Sequence, residues 1–242
     1  MKNKENIYTE LYNKHVFSTI AEKNEGFCLE FFEWELFESE YVPDIDSFKI
    51  IEMIEKASKK LLLFENINLN LNNDFDEFEM TIISNMSKAT SKVIWNLFKP
   101  TKPVFIKELN RLVVENQTLF PGAFRNKNIY VKGVQKEFKF LSEERIDEKL
   151  NKLLSQVSIS EEIAVHILLF IITQRVFFDG NKRTAFLIAN KILLENFYKF
   201  ILLDETNIDK FNLLLNVLYN NFKYENYSNI FSFVKEQIKD LK

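Results

Sequence analysis

The feature that most constrains this chain is a strongly apolar stretch interrupted by a short polar loop. Residues 163–172 are nearly all hydrophobic, and the chain then breaks at an Asp-Gly-Asn sequence, residues 179–181. After the break, apolar residues recur at helical spacing over 185–193. The pattern predicts a buried helix, a tight loop and a second helix whose first turn carries Lys182 and Arg183.

The loop has the composition of an anion-binding site. Amide groups at a helix start favour an anion, a glycine lets the backbone approach closely, and Lys182 and Arg183 supply positive charge. A solvated turn between two helices, with an ordinary Asp-Gly breaker, explains the same spacing. The pattern by itself leaves both interpretations open.

Composition predicts a mostly helical protein with ample material for a core. Apolar residues make up 46% of the chain, with 25 Phe but only 4 Gly and 4 Pro. This balance argues against a loop-rich all-β fold and against disorder. One stretch differs, because residues 120–134 combine turn residues with short extended pieces around Gly122 and Gly133. The predicted fold class is therefore all-α, a mostly helical bundle with one small β-hairpin.

The chain is predicted to divide at the Asn-rich segment 66–74, giving an N-terminal extension, 1–73, and a main unit, 74–242. Within the extension, 46–63 shows helical spacing. The aromatic and acidic run 27–42 stays open between strand and helix, and between a regulatory role and core packing. Further helices are predicted over 75–97, 105–114, 142–154, 160–172, 207–222 and 228–241.

Several classes of protein are disfavoured. A net charge of -3 does not indicate nucleic-acid binding. The single cysteine, Cys28, excludes an intrachain disulfide, and with only His15 and His166 no Cys/His zinc cluster can form. The run Ile167–Ile172 is far shorter than the ~20 residues that a membrane span needs. We expect a cytoplasmic protein without membrane contact, or one exported by a route that leaves no signal here.

The polar loop resembles the signature of the Fic/Doc family. FFDGNKR at 177–183 is similar to the family motif His-x-Phe-x-(Asp/Glu)-Gly-Asn-(Gly/Lys)-Arg. FPGAFRNKNIYVKG at 120–133 resembles the family's flap, and Asn85 and Ala89 match its Asn-x-x-x-Ala pattern. With two motifs in the expected order, the chain is identified as a member of the family, with 74–242 as a Fic/Doc-like core.

The resemblance implies a nucleotide triphosphate, ATP or another, bound at the loop, and Mg²⁺ held by Asp179. Gly180 and Asn181 would present donors to phosphate oxygens, and Lys182 and Arg183 would complete the phosphate site. Such transfer reactions depend mainly on positioning and charge neutralisation. For Asp179, a helix N-cap is the alternative interpretation.

The resemblance also implies a target protein. The flap residues Ile129, Tyr130 and Val131 would hold a target segment by strand addition. An active member would transfer AMP or phosphate to a Ser, Thr or Tyr hydroxyl. An antitoxin or a regulatory partner would accompany a toxin-like member of this kind.

The residue at the position of the family's catalytic His is Arg175. Arginine stays protonated and cannot take a proton from a hydroxyl. His166 lies nine residues earlier, about 2.5 helical turns and hence on the opposite face, and is interpreted as a core histidine. Catalysis is then lost, or another group is the base, or Arg175 is a selected or engineered inactivating change. A catalytically silent Fic fold that binds a nucleotide or a protein is the alternative function.

Two further departures concern the reaction and its control. Asn-Lys-Arg resembles the Doc branch, which implies phosphate rather than AMP transfer, and Phe186 stands where many members carry a second Arg. The family's inhibitory pattern, (Ser/Thr)-x-x-x-Glu-(Gly/Asn), has imperfect candidates at Glu22, Glu25 and Glu236. Each of these is interpreted as a plain surface glutamate.

Overall fold

The computed structural model describes residues 47–69, 75–97, 99–131, 133–134, 137–155, 161–197 and 199–240. The chain forms two compact units, Met1–Ile51 and Glu52–Lys242. The predicted division at 73/74 stays a prediction, and residues 52–69 are part of the larger unit. The run 27–42, Cys28, His15 and the candidates Glu22 and Glu25 lie outside the described residues.

The described part of the chain is mostly helical, with one two-stranded sheet, which confirms the predicted fold class. In chain order the elements are α1 (Ser47–Lys60), a 3₁₀ helix (Leu61–Glu65), α2 (Glu77–Trp95), α3 (Pro103–Val113), α4 (Glu143–Leu154), α5 (Glu161–Gln174), α6 (Asn181–Phe197), β1 (Lys199–Ile201), α7 (Glu205–Asn220), α8 (Tyr224–Glu236) and β2 (Ile238–Asp240). Within these ranges, no helix is long and apolar enough to cross a membrane.

Local capping signals fix several helix starts. Asp76 and Glu79 form a capping box at α2, with side-chain to backbone distances of 2.8 and 3.0 Å. Ser142 caps α4 as predicted, and its hydroxyl accepts from the Arg145 amide. Asp204 caps α7, which therefore begins two residues before the predicted start.

Helices α5 and α6 form the centre of the larger unit. Both are buried nearly all round, as expected of helices that are apolar on every side. Helix α6 also contacts α2, α3, β1 and the 3₁₀ helix. The loop between these two buried helices is thus held from several directions, which gives it a fixed shape.

The observed sheet lies at the C-terminal end of α6 and was not predicted. Strands β1 and β2 pair antiparallel, with Phe200 opposite Lys239. On the other side of β1, the Asn190 side chain of α6 bonds both backbone groups of Ile201. The prediction of helix over 228–241 was wrong for its last residues, because three-residue strands are too short to show a period.

The predicted hairpin is present in a narrower form. Ile129 and Phe138 exchange backbone hydrogen bonds of 3.2 and 2.9 Å, and a turn at 131–134 uses Gly133 with φ +82°. The stretch after Gly122 pairs elsewhere, because Phe124 forms an antiparallel bridge with Phe177. The flap is therefore the segment 129–138.

Candidate functional site

Helix α5 ends in a Schellman motif directly before the loop. The Val176 amide donates to Ile171 O at 3.3 Å, and the Arg175 amide donates to Ile172 O at 3.2 Å. The residue in the left-handed position, normally glycine, is Arg175 with φ +46°. A side chain in this conformation costs roughly 1 kcal/mol, so the surrounding contacts must stabilise it.

Asn181 closes the loop on itself. Its Oδ1 accepts from the Phe177 amide and its Nδ2 donates to the Phe177 carbonyl, both at 2.9 Å. The carboxamide is buried and engaged within the loop in this conformation. Asn181 therefore sets the shape of the cradle in which a phosphate has been predicted.

Sequence reasoning missed Asn110 of α3, whose side chain forms hydrogen bonds with the motif loop. Its Nδ2 donates to Asp179 O at 2.9 Å and to Thr184 Oγ1 at 3.1 Å, and its Oδ1 accepts from the Gly122 amide at 3.1 Å. It is 1% exposed. A buried amide joins three segments here, and the only signal was an Asn on the apolar side of a short helix.

Gly180 is required by both conformation and space. Its φ is +68°, and an added Cβ would lie 2.4 Å from Val114 Cγ1 and 3.0 Å from Val113 Cγ1. A side chain is thus excluded where the backbone crosses α3. The predicted glycine of the cradle has a direct structural reason.

Asp179 is exposed on the loop, and its Oδ1 accepts from the Gly180 amide at 2.7 Å. Among the described residues there is no group of three or more His, Cys, Asp or Glu side chains that could hold a metal. Mg²⁺ at nucleotide sites needs only one or two carboxylates, with substrate phosphates supplying further ligands. A single exposed carboxylate at a helix start fits that requirement.

Lys182 extends toward α7 and the 3₁₀ helix. Its Nζ donates to Asn212 Oδ1 at 2.7 Å and lies 4.9 Å from the Phe64 ring centroid. Burial lowers the pKa of the Lys182 ammonium, while the Glu65 carboxylate opposes this effect. The side chain thus helps to hold the segment that precedes α2.

Arg183, the motif arginine, is 1% exposed and surrounded by acceptors. Nη1 donates to Val113 O at 3.1 Å, and Nη2 donates to Gln117 Oε1 at 3.0 Å. Nε lies 3.0 Å from Glu65 Oε1, without the orientation of a hydrogen bond, so this contact is an ion pair. The predicted phosphate-neutralising group is already neutralised by Glu65.

Glu65 is the second residue that sequence reasoning missed. It ends the 3₁₀ helix and precedes Asn66, which has φ +61°. Leu61-x-x-x-Glu65-Asn66 differs from the inhibitory pattern only at the hydroxyl position, which was the signal that could have found it. The candidate Glu236, in contrast, is exposed at the end of α8.

Phe64, next to Glu65, packs against Phe186, the position at which the family resemblance implies a second arginine in many members. Its ring lies 5.5 Å from that of Phe186 and 5.8 Å from that of Phe211, centroid to centroid. The three rings form one aromatic cluster. The cluster fixes the 3₁₀ helix against α6, and so places Glu65 on Arg183.

Arg125 attaches the flap to the end of α5. It is 2% exposed, and its guanidinium donates to five backbone carbonyls. These belong to Gln174 (3.3 Å), Arg175 (3.1 Å), Phe138 (3.0 Å), Lys139 (3.0 Å) and Lys127. Burial lowers the pKa of Arg125, and the neighbouring Arg175 charge lowers it further. The flap and the loop are thus parts of one assembly.

The Arg175 side chain lies next to Phe138, which belongs to the segment of the flap that follows Gly133. This segment is called the returning half of the flap. Its Cζ is 6.0 Å from the Phe138 ring centroid, and its Nε is buried without a hydrogen-bond partner. His166 is elsewhere, with Nδ1 2.8 Å from the Tyr227 hydroxyl and its ring 4.7 Å from that of Phe231. Neither side chain is placed to accept a proton at the loop.

The structure brings the predicted site residues to one end of α6. Asp179, Gly180, Asn181, Lys182 and Arg183 form the loop and first turn, and Arg175 lies at its entrance. The flap residues Ile129 and Val131 are partly buried, and Tyr130 is 74% exposed. Fold and loop together define a Fic-type protein.

Comparisons with known proteins agree with this class. Residues 100–193 match the model of the Fic/DOC family. A Fic domain-containing signaling protein from Bacteroides thetaiotaomicron is 14% identical, with 78% of this chain and 85% of that chain covered and a TM-score of 0.55. For Fic-1 from C. elegans the identity is 15%, the coverage 91% and 67%, and the TM-score 0.53. At these identities the structures show the fold alone, and no curated protein matches the chain. This chain carries a Fic/DOC-family domain, which confirms the predicted family.

Proposed function

We propose that this Fic-type protein is a nucleotide-binding module that has lost the transferase reaction. Arg175 carries the proposal, because it stands where the transfer needs a proton acceptor and its guanidinium is a permanent cation. Its guanidinium lies 6.0 Å from the Phe138 ring centroid. A cytoplasmic location, where ATP is abundant, belongs to this proposal.

The residues around the loop fit a nucleotide bound with Mg²⁺. Asp179 would hold the metal through its exposed carboxylate. Backbone amides at the start of α6 would donate to phosphate oxygens, since helix N-termini favour anions. Mg²⁺ would supply neutralisation of the phosphate charge.

Glu65 supports a form of control over this binding. The carboxylate and a phosphate carry the same charge and compete for the same guanidinium, that of Arg183. Glu65 is 34% exposed, so its side chain has access to solvent when it leaves Arg183. Nucleotide binding would therefore be weak until Glu65 is displaced.

Calorimetric titration with ATP and ADP, each with Mg²⁺, tests the proposal on the full chain. We expect Glu65→Gln to bind ATP roughly tenfold more tightly than the natural chain, a change of ~1.4 kcal/mol, because the neutral amide no longer competes with phosphate for the Arg183 charge. Glu225→Gln, which removes an exposed carboxylate on α8, is the matched control. If neither the natural chain nor Glu65→Gln binds nucleotide, a protein-binding module becomes the better account.

A transferase of AMP or phosphate is the second candidate, favoured by the exposed Asp179 carboxylate in the motif loop. Incubation with α- and γ-labelled ATP, Mg²⁺ and a cell lysate distinguishes the two reactions. We expect no label on any protein with the natural chain. Label transferred to a Ser, Thr or Tyr hydroxyl would overturn the loss of activity and identify the target. An antitoxin or regulatory protein would then be sought as a partner.

Arg175→His is the decisive variant for the same assay. Transfer that appears only in this variant would mean that the scaffold is intact and only the base is missing. Arg175→Lys, which also supplies no neutral imidazole, serves as its control.

A further inference from the structure

In the returning half of the flap, the ring of Phe138 contacts the helical core. Phe138 packs edge-on against Tyr219 of α7, with 4.9 Å between ring centroids. Arg175 lies on the same ring at 6.0 Å, at the limit for a cation–π contact. Phe138 is also the residue that pairs with Ile129, so its position fixes the register of the flap.

Tyr219 connects the same contacts to α5. Its hydroxyl donates to Ile172 O at 2.9 Å, within the last turn of α5. Burial raises the pKa of Tyr219 to about 12, although the positive charge of the nearby Arg175 guanidinium acts against this. Tyr219 therefore links the Phe138 ring to the end of α5, and the Arg175 guanidinium lies near the same ring.

We propose that Arg175 is a positioning residue that locks the returning half of the flap onto α7 through Phe138 and Tyr219. The lock takes the place of the proton chemistry that the resemblance implies for this position. It does not depend on nucleotide binding, because each of its contacts is made by the chain alone. Its left-handed backbone and unpaired Nε are costs that these contacts offset.

A locked flap presents a preformed edge at Ile129–Val131. A segment that adds to such an edge as a strand loses less conformational freedom than one that must order the flap as well. In a flap without the lock, residues 129–138 would open and close locally while the helices stay folded. The lock therefore predicts a specific, local difference in hydrogen exchange.

Hydrogen exchange of the full chain, followed by NMR at the amides of Ile129 and Phe138, tests the proposal. We expect Arg175→Met to speed exchange at both amides about tenfold, the effect of removing a partly buried cation–π contact. Arg175→Lys keeps the cation and should keep most of the protection. Both variants retain a Cβ at the same left-handed position, so backbone strain is equal in the comparison. Arg145→Met, on the exposed side of α4, is the control for loss of one positive charge.

Two results would overturn the proposal. One is unchanged exchange at Ile129 and Phe138 in Arg175→Met. The other is an equal acceleration at amides of α6, since this would mean that Arg175 stabilises the whole unit and not the flap.

A double-mutant cycle gives a second test that retains the folded core. Arg175→Met, Phe138→Leu and the double variant are compared by the exchange rate at the Ile129 amide. If Arg175 acts through the Phe138 ring, the Ile129 amide should exchange hardly faster in the double variant than in Arg175→Met alone. Additive effects of the two substitutions would mean that they act independently, contrary to the proposal.

Discussion

The two sides of the motif loop are held by different kinds of contact. On the flap side, the hydrogen bonds of Arg125 to the described residues all go to backbone carbonyls, and Arg175 lies near the Phe138 ring. On the opposite side, Arg183 is held by a carbonyl, an amide and the carboxylate of Glu65. Carbonyls and rings belong to the folded core, whereas a partly exposed carboxylate can be exchanged for another anion. The difference indicates a permanent flap side and a switchable phosphate side.

The largest expected effect is on the flap side, from Arg125→Met. Five carbonyls lose a donor, although Phe138 O keeps the Ile129 amide, and buried unsatisfied groups cost ~1–3 kcal/mol each, partly relieved by water. We expect the free energy of unfolding to fall by roughly 4 kcal/mol in urea titrations. Arg111→Met, which removes only an exposed pair with Glu115 on one helix, should change it by ~0.5 kcal/mol or less. A loss below ~1 kcal/mol for Arg125→Met would contradict a permanent flap side.

The loop between the two sides is tested by Gly180→Ala. A Cβ there meets Val114 at 2.4 Å in addition to the left-handed strain, so we expect a loss of about 3 kcal/mol. Gly133→Ala has the same kind of backbone, φ +82°, with nothing within 4 Å of the added Cβ. Gly133→Ala should lower the free energy of unfolding by only ~1 kcal/mol, because it adds backbone strain without crowding. Equal losses in the two variants would mean that crowding against α3 is unimportant for the loop.

The hydroxyl of Tyr219 gives the flap side a dependence on alkaline pH. Its pKa is raised in the fold from 10.0 to about 12, so the folded state keeps the proton longer than the unfolded state. The corresponding stability is fully present below pH ~10 and is lost as the pH rises toward ~12, by about 2 kcal/mol or somewhat more. Tyr219→Phe should remove that part of the pH dependence in urea unfolding between pH 10 and 12. Identical slopes in the natural chain and the variant would show that the hydroxyl is not buried in this way.

The smallest effect is expected on the phosphate side, where Glu65→Gln should lower the free energy of unfolding by only about 1 kcal/mol. Arg183 keeps its hydrogen bonds to Val113 and Gln117, and only the ion pair with Glu65 is lost. High phosphate or MgATP should raise the melting temperature of this variant more than that of the natural chain. If Glu65→Gln instead costs as much as Arg125→Met, Glu65 is a structural partner and the two sides do not differ as proposed.

Local patterns in the sequence were sufficient for much of the fold. The apolar run before the loop predicted α5, Ser142 predicted the start of α4, and the FFDGNKR motif with the flap motif predicted the family. All of these signals lie within a few residues of the structure that they specify. Strands β1 and β2 were missed because three residues carry no period, and their pairing joins segments 39 positions apart.

The candidate site separates the features that the sequence determines from those that the tertiary structure decides. The sequence alone determined that the loop has Asp179, Gly180, Asn181, Lys182 and Arg183 in order, and that Arg175 stands at its entrance. Only the tertiary structure decided that Glu65, far away in the chain, neutralises Arg183, that Asn110 supports the loop, and that Arg175 lies under Phe138. The physical reason is that a charge or an amide in a sequence has no fixed partner until packing of the helices selects one.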